Sequence, residues 1–205
     1  MKHKSLLTVA GGALALTLAL TACSDPGSGE EVSTSPAQTQ TEADSAGEVD
    51  EEHNDADVMF AQMMIVHHEG AIEMADLAIE QAESPDVQDL AEQISAAQGP
   101  EIDRMTSWLE AWGEEVTPME GMDHGGMDMD GMSQDEAMEQ LSSMSGTEFD
   151  RRFLVLMTAH HQGAVEMSQE QISAGQNPQA IELAETIIAD QEVEIAEMER
   201  LLGTL

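Results

Sequence analysis

The chain has 205 residues, with 42 Asp and Glu against six Lys and Arg, and its formal net charge at pH 7 is −36. An acidic surface of this kind repels nucleic acid and anionic lipid, so both are excluded as partners of the folded part. The single cysteine excludes an internal disulfide. With no tyrosine, two tryptophans and three phenylalanines, a core must consist mainly of aliphatic residues and methionine.

The N-terminus has the layout of an export signal. Residues 1–4 carry positive charge and precede an apolar run over residues 6–20, which is short for a membrane span. The run ends in Leu20-Thr21-Ala22-Cys23, which resembles the bacterial lipobox, where cleavage precedes a cysteine that receives a lipid. We therefore predict a signal peptide over residues 1–22. A lipid on Cys23 would anchor the exported protein to the outer face of the cytoplasmic membrane or to another envelope membrane.

Residues 23–55 consist mainly of Ser, Thr, Pro, Gly, Asp and Glu. A segment with so few apolar side chains cannot bury enough surface to offset the entropy that ordering costs. We predict a disordered acidic tether and assign no role to His53 within it. Residues 56–205 remain, which is enough for one domain with its own core.

This domain contains an internal repeat, because residues 57–109 align without a gap with residues 150–202. In each copy, apolar residues recur at intervals of three and four, as is typical of helices. A break falls at Ser84-Pro85 and at Asn177-Pro178, where an N-cap side chain precedes a proline at the first helical position. Each copy is therefore predicted to be a helical hairpin, over residues 57–112 and 150–203.

Two amphipathic hairpins bury their apolar faces most simply against each other. We predict an all-α fold, an antiparallel four-helix bundle built from two tandem hairpins with internal pseudo-two-fold symmetry. The repeated Gly70-Ala71 and Gly163-Ala164 pairs would let the two histidine-bearing helices approach closely.

Local signals give the helix boundaries. We expect the first helix to begin at Asn54 or Asp55, and the third at Thr147, whose hydroxyl would cap it. A kink is expected at Gly99-Pro100, which has no counterpart in the second copy.

Residues 113–146 separate the two copies, and residues 117–133 read TPMEGMDHGGMDMDGMS. Nothing in this polar, glycine-rich stretch can form a core, so its methionines are not core filler. We predict a loop that binds a soft metal through Met119, Met122, His124, Met127, Met129 and Met132. A capping box at Ser133 and Glu136 then predicts a short helix that ends near Met144.

Each copy also carries the unit Met-x-x-His-His-x-Gly-Ala-x-x-Met. Residues three, four and seven apart share one face of a helix, and a two-fold relation would bring the two faces together. We predict a shared metal site from Met64, His67, His68, Met74, Met157, His160, His161 and Met167. Met63 lies on the same stripe, whereas Met105 and Met198 are interpreted as core.

The ligand types favour copper. Thioether sulfur prefers Cu(I), imidazole accepts either oxidation state of copper, and no thiolate is available for zinc or iron–sulfur chemistry. Copper is therefore the predicted cofactor. Cu(I) is the preferred oxidation state, and Cu(II) is also possible. Glu69, Glu73 and Glu166 remain open as further ligands.

The paired His-His-x-Gly-Ala-x-x-Met segments resemble the family called domain of unknown function 305, from Asp57 to Leu202. The resemblance implies a ferritin-like four-helix fold in an exported bacterial protein. It also implies copper binding by the Met and His positions named above, in sequestration or tolerance. The methionine-rich loop is not covered by the resemblance.

Three functions remain open at this point. One is a non-enzymatic lipoprotein that sequesters, buffers or transfers copper outside the cytoplasmic membrane. The second is a metal-dependent redox enzyme, although the Glu-x-x-His motif of di-iron bundles is missing, since Met64 and Met157 stand three residues before His67 and His160. The third is a docking module with structural histidines, for which the sequence names no protein partner.

Overall fold

A computed structural model describes residues 49–118 and 131–205. Over these residues the chain is all-α, as predicted, and no β-strand is present. The helices are α1 (Asp55–Gln81), α2 (Pro85–Trp112), α3 (Gln134–Ser142), α4 (Gly146–Ala174) and α5 (Pro178–Leu202). Within the described ranges, no helix has both the length and the apolar character to cross a membrane. The predicted signal peptide, Cys23 and most of the predicted tether fall outside these ranges.

Two helices begin with complete capping boxes. The Asn54 side chain accepts from the amides of Ala56 and Asp57, and the Asp57 carboxylate accepts from the Asn54 amide. Ser133 and Glu136 form the same arrangement at the start of α3. The predicted starts of both helices are therefore confirmed, but α3 ends at Ser142, before the predicted Met144.

The predicted cap at Thr147 is wrong, and the predicted N-cap Ser84 has the expected position without the expected hydrogen bond. α4 begins at Gly146, and the Thr147 hydroxyl donates to the Glu83 carboxylate at 3.0 Å instead of capping its own helix. Ser84 occupies the N-cap of α2 but makes no capping hydrogen bond with its side chain. In both cases a partner from the other hairpin takes part in the turn, and a local pattern cannot include it. α2 itself is continuous through Gly99 and Pro100.

The two hairpins are joined by a reciprocal pair of buried aspartates. Asp57, near the start of α1, accepts from the amides of Gln176 and Asn177 in the α4–α5 turn at 3.1 Å. Asp150, near the start of α4, accepts from the amides of Glu83 and Ser84 in the α1–α2 turn at 2.9 Å. The start of each central helix thus meets the end of the other. α1 and α4 are therefore antiparallel and related by a pseudo-two-fold axis between them.

Helices α1 and α4 form the centre of the domain. α1 packs on α2, α4 packs on α5, and α1 packs on α4, whereas α2 and α5 make little contact. The core divides into two apolar clusters along the central pair. The first cluster contains Met74, Met157, Met198, Phe149 and Phe153, and the second contains Met64, Met105, Phe60, Trp108 and Ala164. Met105 and Met198 are thus buried core residues.

Gly70 makes room for α3 rather than for α4. The atoms nearest to a Cβ at this position would belong to Gln134, beginning with Oε1 at 3.0 Å. The Gln134 amide donates to the Gly70 carbonyl and to the Glu73 carboxylate, both at 3.0 Å. The predicted role of Gly70 in the approach of the two central helices is therefore wrong. Ala71 and Ala164 are fully buried.

The last residues of the predicted tether pack on the bundle. The Trp112 indole N–H donates to the Asp50 carbonyl at 2.9 Å, and the Asn177 amide donates to two backbone carbonyls of residues 50–52. The His53 ring stacks on Trp112, with centroids 4.5 Å apart. The folded unit therefore begins before residue 56, and His53, for which no role is predicted, packs on Trp112.

Candidate metal centre

His67 of α1 and His160 of α4 face each other across the pseudo-two-fold axis. Their ring centroids lie 3.7 Å apart with the planes inclined at 42°, and both side chains are buried. The antiparallel packing of α1 on α4 explains this contact, since equivalent positions near the axis of a two-fold pair must meet. The first histidine of each predicted pair is thus brought to its counterpart.

The second histidine of each pair turns toward the other helix of its own hairpin. His68 Nε2 lies 2.7 Å from Glu101 Oε2 on α2, and His161 Nε2 lies 2.7 Å from Glu194 Oε2 on α5. The ring centroids of neighbouring histidines on one helix are 6.5 Å apart in both copies. The result is one row of side chains across the domain, which we call the histidine row: Glu101, His68, His67, His160, His161 and Glu194.

The interior of the histidine row favours a neutral imidazole at His160. Burial, followed by the proximity of His67, His161 and His68, lowers the pKa of His160 well below the usual value for histidine. Nδ1 of His68, His160 and His161 is buried and has no hydrogen-bond partner among the described residues. Buried polar atoms in native proteins are nearly always paired. Unprotonated, unpaired imidazole nitrogens are also what a metal requires of its ligands, so the donor set fits a metal.

The predicted methionine ligands lie on both sides of the histidine row. Met64 belongs to one apolar cluster, against which Met167 packs, while Met74 and Met157 belong to the other. Met64, Met74 and Met157 are fully buried, and Met63 is nearly so. The thioethers therefore form two groups, where the sequence predicted a single region of four imidazoles and four thioethers. The reason is the antiparallel register, which pairs the start of one motif with the end of the other.

The glutamates that the sequence left open are exposed. Glu69, Glu73 and Glu166 all lie at the surface, and Glu73 accepts from Gln134. The carboxylates that do contact histidines, Glu101 and Glu194, were not selected, although they occupy equivalent positions in the repeat. Their equivalent positions in the two copies could have indicated a shared role. This signal is weak, because a glutamate on an amphipathic helix ordinarily faces solvent.

The histidine row is closed at its centre. No group of three His, Cys, Asp or Glu side chains in the described ranges is arranged to hold a metal ion. Metal–imidazole nitrogen bonds are about 2.0 Å long, so an ion between His67 and His160 needs more space than rings in contact allow. The rings must therefore separate or rotate to admit an ion.

Most of the predicted loop site lies outside the described residues, namely Met119, Met122, His124, Met127 and Met129. Met132 is described. It packs against the first apolar cluster, and its sulfur accepts from the Arg152 guanidinium at 3.2 Å. This member of the predicted loop site is thus in contact with the bundle.

Comparison with known structures finds close relatives of this fold. A DUF305 fragment from Deinococcus radiodurans is 33% identical, with a TM-score of 0.66, and the match covers 74% of this chain and 98% of that one. A DUF305 protein from Streptomyces coelicolor, provisionally described as secreted, is 32% identical, with a TM-score of 0.67 and coverage of 73% and 91%. No curated protein matches the chain.

A third relative, CopM, has been solved with copper. Its Cu(II)-bound form is 31% identical to this chain, with a TM-score of 0.61 and coverage of 72% and 96%. Cu(I)-bound and silver-bound forms of CopM give TM-scores of 0.60 and 0.59. The model of the family described as domain of unknown function 305 matches residues 57–202, which include both hairpins and the histidine row. The chain therefore belongs to the DUF305 family.

Proposed function

We propose that the protein binds copper between α1 and α4, with His67 and His160 as the central ligands. The observation that carries this proposal is the buried contact of the two rings at 3.7 Å between two methionine-containing clusters. Imidazole and thioether together form a donor set that suits copper, and thioether favours Cu(I). CopM, solved with both Cu(I) and Cu(II), supports copper as the cargo.

The proposed role is sequestration, buffering or transfer of copper, without catalysis. An ion enters or leaves this position only when the two rings separate or rotate, and such reversible binding suits a buffer. Methionine and histidine also remain usable outside the cytoplasm, where thiols oxidise more readily. The Glu-x-x-His motif of di-iron oxidases is missing from both copies of the repeat.

The test compares two proteins in Cu(I) titrations against a competing chelator. One carries His67→Gln and His160→Gln, and the other, the reference protein, keeps both histidines. In both proteins Met119, Met122, Met127 and Met129 are replaced by Leu and His124 by Gln, so that the predicted loop site cannot mask the result. We expect the double variant to lose at least about tenfold in Cu(I) affinity. His53→Gln, at a histidine that stacks on Trp112, is the control and retains full affinity. Equal Cu(I) affinity in the double variant and in the reference protein refutes the bundle site.

We propose the methionine-rich loop as a second copper site, because its methionines stand in polar, glycine-rich sequence. Restoring Met119, Met122, His124, Met127 and Met129 should then raise the number of Cu(I) equivalents bound. An unchanged stoichiometry removes the loop from the proposal and leaves the bundle site intact.

We also propose export and a lipid anchor on Cys23, which rest on the signal-like N-terminus and the lipobox-like sequence. The relative from Streptomyces coelicolor, provisionally described as secreted, supports export. Mass spectrometry of the protein from bacterial membranes should find a diacylglyceryl group on Cys23. A Cys23→Ser variant should carry no lipid and leave the membrane fraction; membrane retention without a lipid contradicts the anchor.

A further inference from the structure

We propose that Glu101 and Glu194 are positioning residues that hold His68 and His161 in one tautomer, in which Nδ1 of each ring is a metal ligand inside the bundle. The proposal rests on copper binding by the bundle and deepens it. It adds two glutamates that lie outside the repeated Met and His motif, and it states which ring nitrogen of His68 and of His161 binds the metal.

The first step is the direction of the hydrogen bond. An ionised carboxylate can only accept, so the contact of 2.7 Å between His68 Nε2 and Glu101 places the proton on Nε2. The same holds for His161 Nε2 and Glu194 at 2.7 Å. In a neutral ring with a proton on Nε2, the lone pair is on Nδ1. Each glutamate therefore selects the nitrogen that is free to bind a metal.

The second step is the surroundings of Nδ1. His68 and His161 are completely buried, and Nδ1 of each has no hydrogen-bond partner among the described residues. A purely structural histidine would ordinarily satisfy both nitrogens, because an unpaired buried polar atom costs stability. Here one nitrogen is held firmly by a carboxylate and the other is left as an unused lone pair in an apolar interior. A soft cation is the partner that such a nitrogen lacks.

The third step is charge. A copper ion in the interior brings positive charge into a region of low polarity, which is unfavourable without compensation. The carboxylates at the two ends of the histidine row carry the compensating charge, and hydrogen bonding to them makes the imidazoles stronger donors. Their side chains are 17% and 19% exposed, so they keep contact with water while reaching the buried rings.

The fourth step is the repetition of the contact. Both His–Glu pairs join the first helix of a hairpin to the second, over the same sequence separation and with the same distance. Glutamates with no role beyond solubility need not keep such a contact in both copies. Glu110 and Glu185 are exposed glutamates on the same helices. Within the described part of the chain their side chains make no hydrogen bond or ion pair with a histidine, so they serve as controls.

The tautomers can be read in the protein without copper. Long-range proton–nitrogen correlation NMR on labelled protein should show His68 and His161 protonated on Nε2 and bare on Nδ1. Glu101→Gln should weaken this preference at His68 and leave His161 unchanged, because an amide can donate to Nε2 as well as accept from it. Protonation on Nδ1 in the unsubstituted protein overturns the proposal, whether or not copper binds.

The affinity test compares Glu101→Gln/Glu194→Gln with Glu110→Gln/Glu185→Gln, which loses the same charge from the same two helices. We expect a loss of about 10- to 100-fold in Cu(I) affinity for the first variant and little change for the second. Thermal melting of both apoproteins checks that neither loss reflects unfolding. If Cu(I) binding depends on His67 and His160 but is equal in both glutamine variants, the positioning role is refuted and copper binding stands. If the unsubstituted bundle binds no copper, both proposals fail, and the NMR result still decides the tautomer.

Discussion

His160 is buried between His67 and His161 in the histidine row, and His68 is the next histidine along the row. The carboxylates of Glu101 and Glu194 lie beyond them, at the ends of the histidine row. Burial, followed by the proximity of the other three histidines, lowers the pKa of His160 in the folded protein. In the unfolded chain this pKa returns to about 6.5. The ring is therefore neutral in the folded protein at pH 7, and its protonation disfavours folding.

The sign of the pH dependence follows from this shift. Below about pH 6.5 the unfolded chain binds a proton at His160 that the folded protein does not bind, so the free energy of unfolding decreases as pH falls. Urea unfolding of the apoprotein at several pH values between about 7 and 5 measures this decrease. His160→Gln should reduce the slope. An equal slope in His160→Gln and the unsubstituted protein contradicts the neutral, buried state of His160.

The buried methionines belong to the core whether or not they bind copper. Substitution by leucine distinguishes a packing role from a role in copper binding. Met→Leu at Met64, Met74 and Met157 conserves volume and should cost less than about 1.5 kcal/mol per site. It removes the thioether, so we expect Cu(I) affinity to fall while Cu(II) affinity changes less. Thermal melts and chelator competition for each ion measure the two effects. Unchanged Cu(I) affinity in the triple variant assigns these methionines to the core alone.

At the scale of the helices, the aspartates near the starts of α1 and α4 hold the hairpins together. Asp57→Ala leaves the amide of the buried Asn177 and the neighbouring amide of Gln176 without their acceptor. We expect a loss of about 3 kcal/mol in the free energy of unfolding, measured by urea denaturation. Asp55→Ala, at an exposed position in the same helical turn, should cost less than about 1 kcal/mol. Similar losses for the two variants contradict the role of Asp57 as a link between hairpins.

The helices themselves were predictable because their signals are local. Asn54 and Ser133 cap helices through residues two or three positions ahead, and the sequence contains both partners. Thr147 was assigned wrongly because its partner, Glu83, belongs to the other hairpin. Gly70 was assigned wrongly for the same reason, since its neighbour is Gln134 of α3.

The site was predictable in part. The repeat together with a two-fold relation is enough to bring His67 to His160, because equivalent positions meet at the axis. The orientation of His68 toward Glu101 depends on the packing of α2 against α1, which no spacing within the motif encodes. The separation of the methionines into two clusters depends likewise on the register of α1 against α4.

At the scale of the whole molecule, the segment before α1 belongs to the folded unit. Removal of residues 49–53 takes away the His53 stack on Trp112 and the carbonyls that accept from the buried Asn177 side chain. The free energy of unfolding of a chain that begins at Asn54 should therefore be about 1–3 kcal/mol lower than that of a chain that begins at Val49. Urea denaturation of the two chains measures the difference, and coincident unfolding curves contradict it.

We propose that the bundle as a whole is two hairpins with a copper site at their interface, and the position of the ion tests this proposal most directly. A crystal structure of the protein loaded with one equivalent of Cu(I), with anomalous data collected at the copper edge, gives that position. The predicted result is a copper peak between α1 and α4, bound by imidazole nitrogens of His67 and His160 with their rings moved apart. Copper found only elsewhere, with these two rings still in contact, would contradict the proposed site.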